Sequence, residues 1–213
     1  MATGTSIDAH AHPAAAPLAL QTHDLGCRRG GRLLFARLNL AVAPGQAWWV
    51  RGPNGRGKTS LLRLLAGLSQ PAEGRIDRGQ PPVFMGHQHA LKDDLSSQEA
   101  LQFLARLHGE PSDDAALQQA LSRLGVAHRR RAAVRTLSQG QRRRVALSRL
   151  ALPAAPRTWI LDEPFDALDT EGVETLLSLI QQHCAQGGAA VFTSHQEVQL
   201  PGMHTLWLEA AGS

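Results

Sequence analysis

The chain has 213 residues, 43% of them hydrophobic, which is enough for one domain with a buried core but not for two large domains. Its longest apolar stretches span only a few residues, far fewer than the ~18 that cross a bilayer, so any membrane role must come through a partner. Two distant cysteines exclude a disulfide framework, whereas the net charge of +4 leaves a nucleic-acid or anionic-lipid surface open.

The first segment, residues 1–17, is rich in Ala, His and Pro but lacks the basic start and the apolar centre of a secretory signal. We therefore expect a disordered tail over 1–17, followed by a single domain over 18–213. Short apolar runs on either side of Gly30 and Gly31 predict hairpin strands between residues 18 and 42.

A phosphate-binding loop follows a predicted strand over 46–50 and precedes a leucine-rich helix over 59–68. The loop has the pattern G-x-x-x-x-G-K-[ST]. Its glycines turn backbone N–H groups toward phosphates, its lysine reaches the β- and γ-phosphate oxygens, and its hydroxyl binds Mg²⁺. The pattern predicts nucleotide binding by Gly52, Pro53, Asn54, Gly55, Arg56, Gly57, Lys58, Thr59 and Ser60.

The middle of the chain predicts helices. Ser96 and Glu99 form a capping-box pattern, and Asp113 begins a second helix, so a helical subdomain is expected over about 93–150. This segment contains a cluster of arginines, and without a nucleic-acid-binding module beside it the cluster favours solvated loop and helix faces. The cluster consists of Arg129, Arg130, Arg131, Arg135, Arg142, Arg143 and Arg144.

Two adjacent carboxylates, Asp162 and Glu163, end an apolar strand predicted over 158–161. Because side chains alternate along an extended chain, the two carboxylates face different directions and can have different roles. Asp162 would hold Mg²⁺ through water. Glu163 would polarise the attacking water as a general base.

The rest of the chain predicts a helix over 170–186, a buried strand over 189–193 and a last strand over 206–208. Strands that alternate with helices after a phosphate loop predict an α/β fold. We expect a mostly parallel sheet of the P-loop NTPase type.

A further motif indicates the family. Residues 137–141 resemble the LSGGQ signature of the ATP-binding-cassette (ABC) family, with Gln139 where glycine is commoner. Other motifs of this family follow the same order, with Gln88 matching the Q-loop, Asp169 the D-loop and His195 the switch histidine. The signature residues are Leu137, Ser138, Gln139, Gly140 and Gln141.

This resemblance implies an ABC ATPase with a reduced antiparallel β-subdomain and a helical signature subdomain beside the parallel core. It implies ATP and Mg²⁺ as ligands, with Thr59, Gln88 and Asp162 at the metal, and His195 bonding the γ-phosphate and orienting Glu163. In this family the signature of one subunit closes on the ATP of the other. The resemblance therefore implies a homodimer that acts with separate integral membrane subunits.

One departure concerns the adenine ring. Many members stack a tyrosine on it, but this chain has no tyrosine, and Arg29 occupies about that position. An arginine can stack through its planar guanidinium, so Arg29 is the candidate adenine contact.

Finer details resemble the ATP-binding subunits of cytochrome c maturation haem exporters, in particular Gly86-His87-Gln88 and Ser194-His195-Gln196. That resemblance implies ATP-driven haem export for c-type cytochrome biogenesis, at the cytoplasmic face of the inner membrane, with no direct contact between this subunit and haem. Two alternatives stay open. One is the ATPase of another small exporter, and the other is a soluble ABC ATPase acting on nucleic acid or ribosomes.

Overall fold

The computed structural model describes residues 18–87 and 90–209, so the tail expected over 1–17 and the predicted Mg²⁺ ligand Gln88 lie outside the described residues. Within these ranges the backbone forms two β-sheets and five α-helices. The strands are β1 (Leu20–Arg29), β2 (Arg32–Leu38), β3 (Ala41–Val42), β4 (Ala47–Arg51), β5 (Glu73–Arg78), β6 (Val83–Met85), β7 (Thr158–Leu161), β8 (Ala189–Thr193) and β9 (His204–Trp207). The helices are α1 (Lys58–Leu65), α2 (Ser97–Leu107), α3 (Asp114–Arg123), α4 (Gln139–Leu147) and α5 (Thr170–Ala185).

The central sheet has five strands in the order β6-β7-β8-β4-β9, and every neighbouring pair is parallel. All five residues of β8 are buried, as expected of a parallel strand covered on both faces. Parallel strands end at the same edge, so the loops after β4, β7 and β8 lie side by side. The predicted α/β fold with a mostly parallel sheet is confirmed.

A smaller antiparallel sheet packs against α1, which also packs against the central sheet. In it β1 pairs with β2, β3 and β5, and the predicted β1–β2 hairpin turns at Gly30 and Gly31, both in the left-handed region. Leu61 and Leu65 of α1 share one hydrophobic cluster with Leu20 of β1 and with Val50 of β4. This cluster holds α1 between the two sheets.

Helices α2, α3 and α4 follow one another between β6 and β7 and pack together through Leu101, Leu121 and Val145. Ser96 caps α2 in a complete capping box with Glu99, as predicted. Asp113 caps α3 by accepting the N–H of Ala116, also as predicted. The core of these helices is continuous with the cluster beneath β7.

Several element boundaries differ from the sequence prediction, by one residue at each end of β4 and at the start of α1 and by up to three residues elsewhere. Helix α1 ends at Leu65 rather than at residue 68, because Gly67 turns into the left-handed region and its N–H bonds the Leu64 oxygen. Helix α5 ends one residue early, at Ala185, and β9 begins at His204 because its pairing with β4 sets its register. Across residues 18–87 and 90–209, every helix is too short or too polar to cross a bilayer.

Candidate nucleotide-binding and hydrolysis site

The loop between β4 and α1 is shaped by glycines in the left-handed region, with φ of 143° at Gly52, 74° at Gly55 and 98° at Gly57. A Cβ at Gly52 would lie 2.6 Å from the main-chain oxygen of Leu208, so only glycine fits there. Gly57 is the N-cap of α1 and has no side chain to bond the N–H groups of the first turn. These groups and the positive end of the helix dipole therefore favour an anion such as phosphate.

Lys58 and Thr59, at the start of α1, make defined contacts. The Lys58 ammonium donates to the main-chain oxygens of Gly52 at 2.7 Å and Pro53 at 3.3 Å, so the side chain curls back over the loop. The Thr59 hydroxyl donates to Oδ1 of Asp162 at 3.2 Å. The lysine and the threonine thus face the loop and the end of β7, respectively.

The β1–β2 hairpin covers the other side of the loop. A Cβ at Gly57 would lie 3.1 Å from the Leu34 side chain. Burial raises the pKa of the Cys27 thiol on this hairpin, and the nearby Ser60 hydroxyl opposes that shift. Ser60 therefore faces the hairpin rather than the carboxylates. Arg29, the candidate adenine contact, lies exposed at the end of β1 on this hairpin.

Asp162 follows β7 and is only 4% exposed. Its Oδ1 accepts hydrogen bonds from the hydroxyls of Thr59 at 3.2 Å and Thr193 at 3.0 Å. The Thr193 hydroxyl also accepts the N–H of Glu163 at 2.8 Å, so it joins the ends of β7 and β8. A hydroxyl and a carboxylate are the hard oxygen ligands that Mg²⁺ prefers, so Thr59 and Asp162 fit this ion.

Glu163 has different neighbours from Asp162. Its backbone adopts φ of 49°, which is uncommon for a residue other than glycine. Its Oε2 accepts the main-chain N–H of His195 at 2.9 Å, and its Oε1 lies 3.4 Å from Nε2 of the His195 ring. The His195 side chain is 56% exposed, so the pair is open to solvent on one side.

The electrostatic surroundings of Glu163 favour its protonated form. Burial raises the pKa of this carboxyl above its usual range; His195 opposes the shift by charge and by its N–H, while the Asp166 carboxylate adds to it. Asp166 lies close to His87, with 3.5 Å between Oδ2 and Nδ1. A carboxylate with a raised pKa is a more effective proton acceptor at neutral pH.

The predicted signature begins α4. Ser138 is its N-cap: the hydroxyl accepts the N–H of Gln141 at 3.2 Å, and the Gln141 side chain accepts the N–H of Ser138 at 3.1 Å. Ser138 and Gln139 are exposed. A Cβ at Gly140 would lie 2.8 Å from the main-chain oxygen of Ala167, so glycine lets α4 approach the loop that follows β7 closely.

Asp169 ends that loop and is the N-cap of α5. Its Oδ1 accepts the N–H of Gly172 at 2.9 Å and also bonds the guanidinium of Arg144 on α4. The N–H of Gly172 and then Arg144 lower the pKa of Asp169. Asp169 therefore joins the start of α5 to α4.

Comparison with known proteins identifies the family, because the ABC transporter family model matches residues 35–166, more than half of the chain. The chain belongs to the ABC transporter family. It is 46% identical over 197 residues to the cytochrome c biogenesis ATP-binding export protein CcmA of Albidiferax ferrireducens, covering 87% of this chain and 93% of that protein. It is also 46% identical over 190 residues to CcmA of Methylococcus capsulatus, covering 84% and 91%. Within the ABC family, the chain thus belongs with the CcmA proteins.

A solved structure of an ABC transporter ATP-binding protein from Pyrococcus furiosus superposes with a TM-score of 0.77. The two sequences are 25% identical, and the superposition covers 89% of this chain and 96% of the other. The fold prediction of an ABC ATPase is confirmed.

The ABC motifs fall into two groups in the fold. The phosphate loop, Asp162, Glu163 and His195 meet at the carboxyl edge of the parallel sheet. The signature at the start of α4 connects to this edge through the D-loop, by the contacts of Gly140 and Asp169. The functional roles of these residues, and of the exposed residues at the tip of the phosphate loop, remain predictions.

Two residues of this ABC site were not anticipated from the sequence. The Thr193 hydroxyl joins the Asp162 carboxylate to the main-chain N–H of Glu163, and only its position at the end of β8, two residues before the switch histidine, could have indicated this. Arg143 was expected on a solvated face with the other arginines, and that expectation is wrong because its side chain is 1% exposed. The residue lies on the inner face of α4, against the end of β7.

Proposed function

We propose that this chain is the ATP-binding and ATP-hydrolysing subunit of an ABC exporter for cytochrome c biogenesis, and that the exported molecule is haem. The observation that carries the proposal is the buried carboxylate of Glu163, which His195 holds at the sheet edge beside the phosphate loop. The 46% identity to CcmA proteins over most of the chain supports the export role.

ATP binding rests on the loop after β4. Its backbone N–H groups and Lys58 would bind the phosphates, as the left-handed glycines and the glycine N-cap allow. Thr59 and Asp162 would hold Mg²⁺, which when bound neutralises phosphate charge. Arg29 would stack its guanidinium on the adenine ring from the exposed end of the hairpin.

Hydrolysis needs a group that takes a proton from water. In our proposal water attacks the γ-phosphorus, the bond to the oxygen of the β-phosphate breaks, and Glu163 accepts the proton. The N–H of His195 fixes one oxygen of this carboxylate, which orients the other oxygen. The imidazole of His195 is 56% exposed and would bond the γ-phosphate.

A second copy of the chain completes each site in this proposal. Residues 137–141 would close on the ATP held by the partner, through the Ser138 hydroxyl and the N–H groups at the start of α4. The exposure of Ser138 and Gln139 supports this arrangement, because the signature must be accessible to the other subunit.

Separate integral membrane subunits would hold the dimer at the cytoplasmic face of the inner membrane. A surface feature of α2 supports docking by such a partner, since Phe103 and Leu107 are large apolar side chains left exposed. Leu107 also borders a cleft of about 400 Å³ whose other apolar lining includes Met85 and Leu104. The cleft reaches Thr59 and Asp162, so a partner in it would contact the ATP site.

We further propose that the chain does not bind haem directly. His87 is exposed and lies near Asp166, an arrangement that suits an ordinary loop histidine. Titration of the isolated protein with haem should leave the Soret band of haem unshifted. A stoichiometric shift that disappears in the His87→Ala variant would contradict this part of the proposal.

The deciding experiment is purification of tagged Glu163→Gln protein from detergent-solubilised membranes in the presence of ATP, with mass spectrometry of the proteins that accompany it. Recovery of cytochrome c maturation membrane proteins would support haem export. Recovery of a different permease would keep the proposed ATPase activity but would mean that a molecule other than haem is exported. Ribosomal proteins or RNA, bound in a salt-sensitive manner, would replace the transporter proposal with the nucleic-acid alternative.

A further inference from the structure

Arg143 is a buried cation at the junction of the predicted ABC motifs. Its guanidinium donates to the main-chain oxygens of Pro164 at 3.1 Å, Gly86 at 3.3 Å and Asp162 at 3.4 Å, and to that of Glu163. These four oxygens belong to two separate segments, the end of β6 and the loop after β7. One side chain of α4 therefore fixes the backbone at both places.

The contact with the Glu163 oxygen bears on catalysis because of the Glu163 backbone. A φ of 49° costs a residue other than glycine conformational energy, so the surrounding contacts must hold it. The Glu163 N–H is held by Thr193, and the Glu163 oxygen is held by Arg143. With both ends of the residue fixed, the carboxylate keeps its direction toward His195.

Nearby carboxylates compensate the positive charge of the buried Arg143 side chain. Burial lowers the pKa of its guanidinium, whereas Asp166, Asp162 and Glu163 raise it. A guanidinium remains protonated in proteins and presents five N–H donors in a fixed fork, which suits several carbonyls at once. The ammonium of a lysine has the same charge but cannot reach this set of oxygens with that geometry.

We infer that Arg143 is a positioning residue for the base Glu163, and that it mechanically links the signature helix α4 to the hydrolysis site of its own subunit. The inference rests on the proposed function, because it assigns hydrolysis to Glu163. Movement of α4 as the signature engages the partner's nucleotide would move the Glu163 main chain through Arg143. Hydrolysis at one site would thus depend on the nucleotide bound at the other.

The test compares Arg143→Lys and Arg143→Gln with Arg149→Lys, all in the full chain purified with the membrane proteins that accompany it. Arg149 is the matched control, because it is another buried arginine just after α4 but pairs with Glu110 instead of the Glu163 backbone. We expect both Arg143 variants to lower kcat for ATP about tenfold to a hundredfold, the range for a displaced catalytic group, with KM within about twofold. Arg149→Lys should lower the melting temperature but leave kcat within about twofold.

A double-mutant cycle with Glu163→Gln distinguishes positioning from a general structural effect. If Arg143 acts through Glu163, then Arg143→Lys should cause little further loss of rate once Glu163 is glutamine. Additive losses, or an unchanged kcat in the Arg143 variants, would overturn the inference and leave the proposed function intact. A Glu163→Gln variant with an unchanged rate would instead overturn the proposed base. If Arg143→Lys fails to fold, Arg143→Gln in the same cycle gives the same decision.

Discussion

At the scale of single residues, the chemistry depends on how two neighbouring carboxylates are kept different. Asp162 accepts hydrogen bonds from two hydroxyls, whereas Glu163 accepts the N–H of His195 and lies near Asp166. A carboxylate beside a hydroxyl offers the oxygen ligands that Mg²⁺ prefers, while burial and the like charge of Asp166 raise the pKa of Glu163. Asp162 is therefore suited to binding a metal ion, and Glu163 to accepting a proton.

Removing the base should slow turnover without removing the nucleotide. Glu163→Gln keeps the size and polarity of the side chain but cannot accept a proton, so we expect kcat for ATP to fall about 10²- to 10⁴-fold. The affinity for ATP, measured by fluorescent-nucleotide titration, should change little. Glu197→Gln is the control, because Glu197 is an exposed carboxylate that pairs with Arg51. An undiminished rate in Glu163→Gln would exclude the assignment.

The raised pKa of Glu163 predicts the pH dependence of kcat. The base is active when deprotonated, so activity is lost as the pH falls through its raised pKa, above the usual range for glutamate. Asp166→Asn removes a negative charge that raises this pKa. We therefore expect the acidic limb of the pH profile of kcat to move to lower pH in Asp166→Asn. A limb that moves to higher pH, or not at all, would contradict the electrostatic account.

The sequence predicted that Asp162 and Glu163 end a strand and face different neighbours, because strand alternation is a local pattern, and their roles stay predictions. It did not predict Arg143, since a run of three arginines is most often solvated and burial depends on the packing of α4 against the loop after β7. Arg144, the next residue, was expected to be solvated but contacts Asp169. In such a run, the buried arginine is the one on the helix face that packs against the rest of the domain.

At the scale of elements, α1 and α4 differ in whether a capping side chain bonds the N–H groups of their first turns. The N-cap of α1 is a glycine, so its first N–H groups have no side chain of the cap to satisfy them. In α4 the Ser138 hydroxyl already bonds the N–H of Gln141. A phosphate bound at the signature would compete with the Ser138 hydroxyl for the N–H of Gln141. A phosphate bound at α1 would displace no capping side chain.

The capping box of α2 was predicted because both of its residues are close in sequence, and this cap gives a stability test. Ser96→Ala removes the side chain that bonds the N–H of Glu99. We expect the free energy of unfolding, measured with urea, to fall by about 1 kcal/mol. Ser122→Ala, at an exposed position within α3, should cost nothing, because alanine favours helix. Equal losses in the two variants would rule out the cap as the cause.

At the scale of the whole molecule, the phosphate loop and the signature are on separate parts of one chain and are expected to act across a dimer. This predicts a nucleotide-dependent mass. Glu163→Gln with MgATP should form a dimer by light scattering, because ATP is bound but not consumed. Lys58→Ala, which removes the phosphate-binding ammonium, should stay monomeric under the same conditions. A Glu163→Gln protein that stays monomeric with MgATP would argue against the proposed arrangement.

Apart from β5 and β6, the strands were predicted from their apolar runs and turn residues, but their order in the sheet was not. The order β6-β7-β8-β4-β9 depends on pairings such as Ala47 with Ala190 and Trp48 with His204, which no local pattern specifies. The end of α1 was missed by three residues because Gly67 turns the chain, and the start of β9 was missed by two because its distant pairing with β4 sets it.

The packing of Gly52 against Leu208 has a consequence for how the protein matures during translation. The strand before the phosphate loop, β4, has β8 and β9 as its two neighbours, and both follow it far along the chain. Leu208 also donates its N–H to the Arg51 oxygen at 2.7 Å, directly beside the loop. The loop therefore lacks the neighbouring strands that support it until the chain as far as Leu208 has left the ribosome. A nascent chain that already contains the complete G-x-x-x-x-G-K-[ST] motif would still be unable to hold ATP firmly.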